Sequence, residues 1–216
     1  MTRPLVLGHR GARASHNVPE NTLASFERCL QHGCDGFEFD VRQSADGRAV
    51  ICHDPVVRGM EIARTPAALL GLPTLEEVLH SFAARAFLDI ELKVRGLEPE
   101  TIRLLREHSP MKGCVVSSFL PQVLVALHRI DASVQLGFIC DRPAELELWE
   151  GLPAVWIIPQ LRLTDQTLIA QIHASSKKVM VWTVNRADEI RNLTEYGVDA
   201  IVSDETELAA QVLAAS

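Results

Sequence analysis

The chain alternates. Eight short β-like runs, at residues 5–8, 36–41, 86–93, 114–118, 135–139, 154–158, 178–184 and 200–203, are rich in Val, Ile, Leu or Phe and bounded by turn residues. Between or after them lie helical patterns at 22–32, 75–84, 99–108, 121–130, 144–149, 165–175, 187–196 and 206–214. Leu23, Phe26 and Leu30 form an apolar stripe at helical spacing, with Asn21 placed to cap that helix and Gly33 just past its end. Asp165 and Asp204 read as further helix caps, and Gly197 as a stop. Strand-then-helix units build parallel sheets, and eight of them can close into a (β/α)8 TIM barrel. A doubly wound open sheet is the runner-up, but no Gly-x-Gly-x-x-Gly follows any strand.

Two details modify that barrel. Asp46-Gly47 is a hairpin signal, so residues 48–53 read as an antiparallel arm on the second strand. Residues 55–73 show weak periodicity and read as a loop or short lid. At 216 residues the whole chain, 1–216, is expected to be one domain.

A net charge of −7 argues against a nucleic-acid partner. It also means that an anionic substrate must be drawn by local charge. No apolar run approaches the ~20 residues of a membrane helix, and no signal peptide is evident. The cysteines, Cys29, Cys34, Cys52, Cys114 and Cys140, form no Cys-x-x-Cys pair and read as reduced thiols, which suggests the cytoplasm.

In such barrels the active site sits at the C-terminal strand ends. Residues two apart on a strand share a face. Glu38 and Asp40 therefore point one way, and Phe37, Phe39 and Val41 the other. Asp89, Glu91 and Lys93 likewise oppose Leu88, Ile90 and Leu92. The acids face the barrel mouth, and Lys93 alone does not balance Glu38, Asp40 and Glu91. A divalent cation would, and all-oxygen ligation suits Mg²⁺ or Ca²⁺. The bland alternative pairs the acids with strand-end arginines such as Arg42. His9 and His53 lie at the same rim and suit an acid–base pair. His32, His80, His108, His128 and His173 fall in or at the ends of helical patterns and read as surface residues, and His16 is unassigned. Strict alternation would send His9 and Arg10 to opposite faces, but Gly11 permits a bend. Glu20 is either a rim carboxylate or a first-turn acid favoured by the helix dipole. Trp182 is either a packed strand residue or a wall against a small substrate.

His9-Arg10-Gly11, Pro19-Glu20-Asn21-Thr22, Glu38-x-Asp40, His53-Asp54, Glu91-x-Lys93 and Trp182-Thr183-Val184-Asn185 occur in that order. The series resembles the glycerophosphodiester phosphodiesterase family over essentially the whole chain. The resemblance implies a TIM barrel that hydrolyses small-molecule glycerophosphodiesters to sn-glycerol 3-phosphate and an alcohol. It implies a divalent cation, Mg²⁺ or Ca²⁺, on Glu38, Asp40 and Glu91, with Glu20 helping. It further implies that His9 and His53 are the acid–base pair and that Arg10 and Lys93 contact phosphate. The chain departs from the family in its reduced insertion at 55–73, where only Arg64-Thr65 matches. It also has Ser203-Asp204-Glu205-Thr206 where Thr-Asp-x-Pro is common. Water or the glycerol hydroxyl beside the phosphate can serve as nucleophile. The rival readings are a phospholipase C- or D-like lipid diesterase, a non-catalytic phosphate- and metal-binding barrel, and a metal-independent structural barrel.

Overall fold

The computed structural model describes residues 3–15 and 17–215. His16 lies outside the described residues. In chain order the strands are β1 (Leu5–His9), β2 (Gly36–Gln43), β3 (Ala49–Ile51), β4 (Val56–Val57), β5 (Met60–Glu61), β6 (Phe87–Leu92), β7 (Cys114–Ser118), β8 (Leu136–Cys140), β9 (Trp156–Pro159), β10 (Lys178–Val181) and β11 (Ala200–Ser203). The helices are α1 (Leu23–Gln31), α2 (Ala67–Leu70), α3 (Leu75–Phe82), α4 (Glu98–His108), α5 (Pro121–Ile130), α6 (Pro143–Leu146), α7 (Gln166–Ala174), α8 (Ala187–Tyr196) and α9 (Thr206–Ala214).

Eight strands pair in parallel in the circular order β1, β2, β6, β7, β8, β9, β10, β11 and back to β1. This is the expected (β/α)8 barrel. β3 pairs antiparallel with the end of β2, Val41 opposite Ile51, which is the expected arm.

Side-chain alternation decides what fills each layer. Phe37 and Phe39 point outward from β2 under α1 and α3. There Phe26 stacks on Phe37 with ring centroids 4.2 Å apart, and Phe82 meets Phe37 edge-on at 5.1 Å. Burying each such ring stabilises the fold by roughly 1.5–3 kcal/mol. Inside the barrel, Leu7, Val115, Trp156, Met180 and Ala200 pack as a floor. The polar side chains of β2 and β6 stand above that floor. The β2–β6 register sets Glu38 beside Asp89 and Asp40 beside Glu91. Gly36 makes the pairing possible: a Cβ there would lie 1.8 Å from the Phe87 carbonyl oxygen.

Four expectations need correction. Residues 55–73 are not an unstructured loop. They hold the β4–β5 ribbon, a 3₁₀ turn at Ile62–Arg64, and α2, which stops on Gly71 at φ +59°. Ile62 and Leu70 of this segment pack with Val50 of β3 in a small separate core. The segment's elements are only two to four residues long, too short to show a period. The cap of α1 is Thr22, whose Oγ1 accepts from Ser25 N, and not Asn21. The residue before α9 is Glu205, so Asp204 caps nothing. The helix expected at 144–149 is shorter, with α6 followed by a 3₁₀ turn at Trp149–Gly151. Among the described residues no helix is long and apolar enough to cross a membrane.

Candidate active site

At the C-terminal mouth of the barrel, Glu38, Asp40 and Glu91 are buried and each brings an oxygen within 4.8 Å of the others. Asp40 is the best-compensated of the three. Lys93 Nζ lies 3.2 Å from its Oδ1, and Arg10 Nε lies 3.3 Å from its Oδ2. Asn21 Nδ2 donates to Oδ2 at 2.8 Å. Burial alone would raise the Asp40 pKa, but Lys93, Arg10 and Asn21 outweigh it and hold the carboxyl below its ordinary value. Glu91 faces Lys93 Nζ at 2.7 Å. Burial is still the larger influence there and pushes Glu91 up to about 7. Glu38 accepts the Arg10 backbone N–H on Oε2 at 3.0 Å, and its buried Oε1 has no partner among the described residues. Burial, followed by repulsion from Asp40, Glu91 and Asp89, raises Glu38 well above the carboxylate range. Three converging carboxylates with an orphaned oxygen suit a hard cation, since a buried unpaired ion costs several kcal/mol. Arg42 does not neutralise them, because its Nε donates to the His53 carbonyl at 2.7 Å.

The turn after β1 settles the parity of His9 and Arg10. Gly11 N donates to Gly8 O at 3.2 Å, with Arg10 at φ +56° and Gly11 at φ +83°. The chain folds back within one residue, and both side chains reach the same cavity. His9 Nδ1 lies 2.7 Å from Asp204 Oδ1. An ionised carboxylate only accepts, so in the neutral ring Nδ1 carries the proton and Nε2, 3.9 Å from Glu38 Oε2, holds the lone pair. His53 Nδ1 lies 2.7 Å from Asp54 Oδ1, which sets the same tautomer.

Glu20 is a rim carboxylate that accepts from Arg10 Nη1 at 2.8 Å and Arg13 Nε at 2.7 Å; it does not join the buried cluster. Trp182 lines the cavity, edge-on to Phe119 at 5.7 Å, and donates its Nε1–H to Ile158 O at 3.1 Å. The cavity holds about 250 Å³, and His9, Arg10, His53, Lys93, Phe119 and Trp182 are among its lining residues.

Sequence reasoning missed several supporting groups. Asn21 and Asp204 were read as helix caps. Asn21 instead brackets Asp40 from the left-handed region at φ +56°, and its Oδ1 accepts from Asp40 N. Asp204 accepts from Asn185 Nδ2 at 2.8 Å as well as binding His9. Contacts with His9 and Asn185 outweigh the effect of burial and hold the Asp204 carboxyl well below its ordinary value. Asp89 accepts from Ser117 Oγ at 2.5 Å beneath the cluster, and burial pushes it up to about 7. The sequence signals for Asn21 and Asp204 are the motif segments that hold them and their place in the loops between a strand and a helix at the barrel mouth.

The chain matches the glycerophosphoryl diester phosphodiesterase family at residues 9–78 and 59–208. It is 28% identical over 234 residues to a glycerophosphodiester phosphodiesterase of Caldanaerobacter subterraneus, covering 95% of this chain and 96% of that one. It is 28% identical over 240 residues to one of Bacillus altitudinis, covering 96% and 97%. The structure of an Oleispira antarctica phosphodiesterase, determined in complex with the product sn-glycerol-3-phosphate, superimposes with a TM-score of 0.86 at 28% identity, covering 98% of this chain and 97% of that one. The family match spans both the β1–β2 residues that form the carboxylate cluster and the strands that complete the barrel around it, and on that ground the chain belongs to the glycerophosphoryl diester phosphodiesterase family.

Proposed function

We propose that this enzyme hydrolyses glycerophosphodiesters to sn-glycerol 3-phosphate and an alcohol in a metal-dependent reaction, with His9 and His53 as the acid–base pair. The observation that carries the reading is a pair of histidines, each with Nδ1 2.7 Å from a carboxylate, at one cavity with Arg10, Lys93 and the acidic cluster. Glu38, Asp40 and Glu91 would hold Mg²⁺ or Ca²⁺, which when bound withdraws charge from the phosphate.

The remaining roles follow from the side chains. Arg10 and Lys93 bind the phosphate oxygens and offset the charge that grows in the transition state. Asp40 holds both cations in place, 3.3 and 3.2 Å away, and Glu20 fixes the far end of Arg10. One histidine, neutral, takes the nucleophile's proton on Nε2, and the other, entering as the imidazolium, gives its Nε2 proton to the departing alkoxide. Acid–base catalysis of this kind is worth ~10²–10⁴-fold. Trp182 forms a wall against the substrate. The whole chain acts as one catalytic unit on a small molecule. The cysteines are free thiols, and on that ground we infer a reducing compartment, the cytoplasm.

Release of glycerol 3-phosphate from a glycerophosphodiester is the test, run with Mg²⁺, Ca²⁺ or EDTA. Metal-dependent release that is lost in His9→Ala and His53→Ala is the expected result. Undiminished release in EDTA would remove the metal from the reading, and undiminished release by His9→Ala would remove that histidine.

A further inference from the structure

Arg13 is a cation at the barrel mouth that the mechanism does not use. It lies just past the turn that brings His9 and Arg10 together. The backbone is pinned on either side of it: Ala12 N donates to Ser25 O at 3.1 Å, and Ala14 N to Asp204 O at 3.3 Å. That frame sets the Arg13 side chain between two carboxylates from opposite ends of the chain. Arg13 Nε donates to Glu20 Oε2 at 2.7 Å, and Nη1 donates to Asp204 Oδ1 at 3.2 Å.

Each of these carboxylates also holds a group that the reaction needs. Glu20 Oε1 accepts from Arg10 Nη1 at 2.8 Å, and Asp204 Oδ1 lies 2.7 Å from His9 Nδ1. Arg13 Nη1 and His9 Nδ1 are 3.4 Å apart, but both carry N–H groups and both meet the same carboxylate oxygen. They share an acceptor and do not bond to each other. An unbroken chain, Arg10–Glu20–Arg13–Asp204–His9, thus runs from the phosphate-binding side of the site to its acid–base side. The fold has no need of this arginine as filling, since its side chain is 40% exposed.

We propose that Arg13 is a positioning residue that locks Arg10 and His9 into one geometry by bridging and neutralising the carboxylates that hold them. The inference rests on the diesterase reading. Without Arg13, the charge of Glu20 falls on Arg10 alone and competes with the phosphate for it. Asp204 loses one of its restraints, and the His9 ring loses order with it. A guanidinium presents its N–H groups in a fixed fork and spans both carboxylates, whereas the ammonium of lysine is a point charge on a flexible stem. Displacing reacting groups by about 1 Å costs up to ~10²-fold in rate. Asn185 still holds Asp204 at 2.8 Å, so removing Arg13 costs only part of that.

Two measurements on the intact protein in Mg²⁺ test the proposal: initial rates on glycerophosphocholine, and calorimetric titration of inorganic phosphate. Arg13→Ala should lose about tenfold in kcat and bind phosphate more weakly than wild type. Arg13→Lys should lose nearly as much kcat, because charge without the fork holds one carboxylate at a time. Millimolar guanidinium should restore part of the kcat of Arg13→Ala and leave wild type unchanged. Guanidinium weakens folded proteins, so it does not repair a substitution that acts only on the fold. Wild-type kcat in Arg13→Ala, full recovery in Arg13→Lys, or a loss that guanidinium deepens would overturn the proposal. A wild type that releases no glycerol 3-phosphate would overturn the diesterase reading instead. The phosphate titration then decides on Arg13: weaker binding in Arg13→Ala supports its hold on Arg10, and equal or absent binding in both proteins overturns it.

Discussion

Asp204 shows how a distant residue sets the chemistry of a catalytic candidate. It lies at the far end of the chain from His9, yet its Oδ1 is 2.7 Å from His9 Nδ1. Asn185 and Arg13 hold the carboxylate in turn, at 2.8 and 3.2 Å. Replacing Asp204 with Asn removes the charge and allows the amide to favour the wrong His9 tautomer. We expect kcat to fall by about 10²-fold with KM little changed, read from initial rates, since the loss is a share of an acid–base effect of ~10²–10⁴-fold. An unchanged kcat would mean that His9 is oriented by other groups. Glu38 makes the opposite kind of prediction. Its Oε1 is buried without a partner and its ionised form is disfavoured there. Glu38→Gln should therefore raise the melting temperature of the metal-free protein at pH 8, while abolishing the further rise that Mg²⁺ or Ca²⁺ produces. A calorimetric scan in EDTA and in metal reads both effects. This trade of function against stability is common at sites built from like charges.

At the scale of elements, the β2–β6 ladder matters most. It aligns Asp40 with Glu91 and puts Lys93 one step beyond, so the cluster depends on register rather than on any single contact. A slip of one residue would turn every acid toward the helices. Gly36 guards the start of that ladder. A methyl group there meets the Phe87 carbonyl oxygen at 1.8 Å and cannot be relieved by a side-chain movement, because the obstacle is backbone. Gly36→Ala should lower stability by about 3 kcal/mol, at the upper end of the cost of overpacking. The urea midpoint should fall with little change in slope. A wild-type midpoint would show that β2 and β6 can separate without loss.

For the whole molecule the acidic mouth sets the pH response. Burial holds Asp89 and Glu91 at about 7 in the folded protein, above their ordinary values of 3.8 and 4.5. Between those limits the folded state binds more protons than the unfolded chain. Stability in EDTA therefore falls as pH rises from about 4 to 7, and Glu38, raised well above its ordinary value, adds to the fall. Asp40 and Asp204 are shifted down, so they act in the other direction. Their contribution is fully present above their unfolded values and is lost as the solution is acidified below them. A bound cation keeps the cluster ionised and adds stability by mass action. The melting temperature should thus decline from pH 5 to pH 8 in EDTA and stay nearly level in Mg²⁺ or Ca²⁺, so that the gap widens with pH. Parallel curves would show that the cluster does not bind the metal.

What could be read from the chain itself was whatever repeats locally. The two-residue period of GFEFDV and FLDIEL sorts phenylalanine and leucine outward and glutamate and aspartate inward, whatever surrounds them. Eight strand-then-helix units, closed by parallel pairing, put those acids at one mouth with His9, His53 and Lys93. Tertiary structure decided what depends on contacts between distant segments. Asn21 and Asp204 resemble helix caps because each precedes a helix. Their side chains turn to Asp40 and His9 only once the ring from β11 through β1 to β2 has closed. The turn at Gly8–Gly11, which brings His9 and Arg10 to one side, obeys a backbone conformation that residue alternation does not contain. Residues 55–73 have elements too short for any period, so Ile62 and Leu70 find their small core only by packing with Val50 in the arm of β2 and β3.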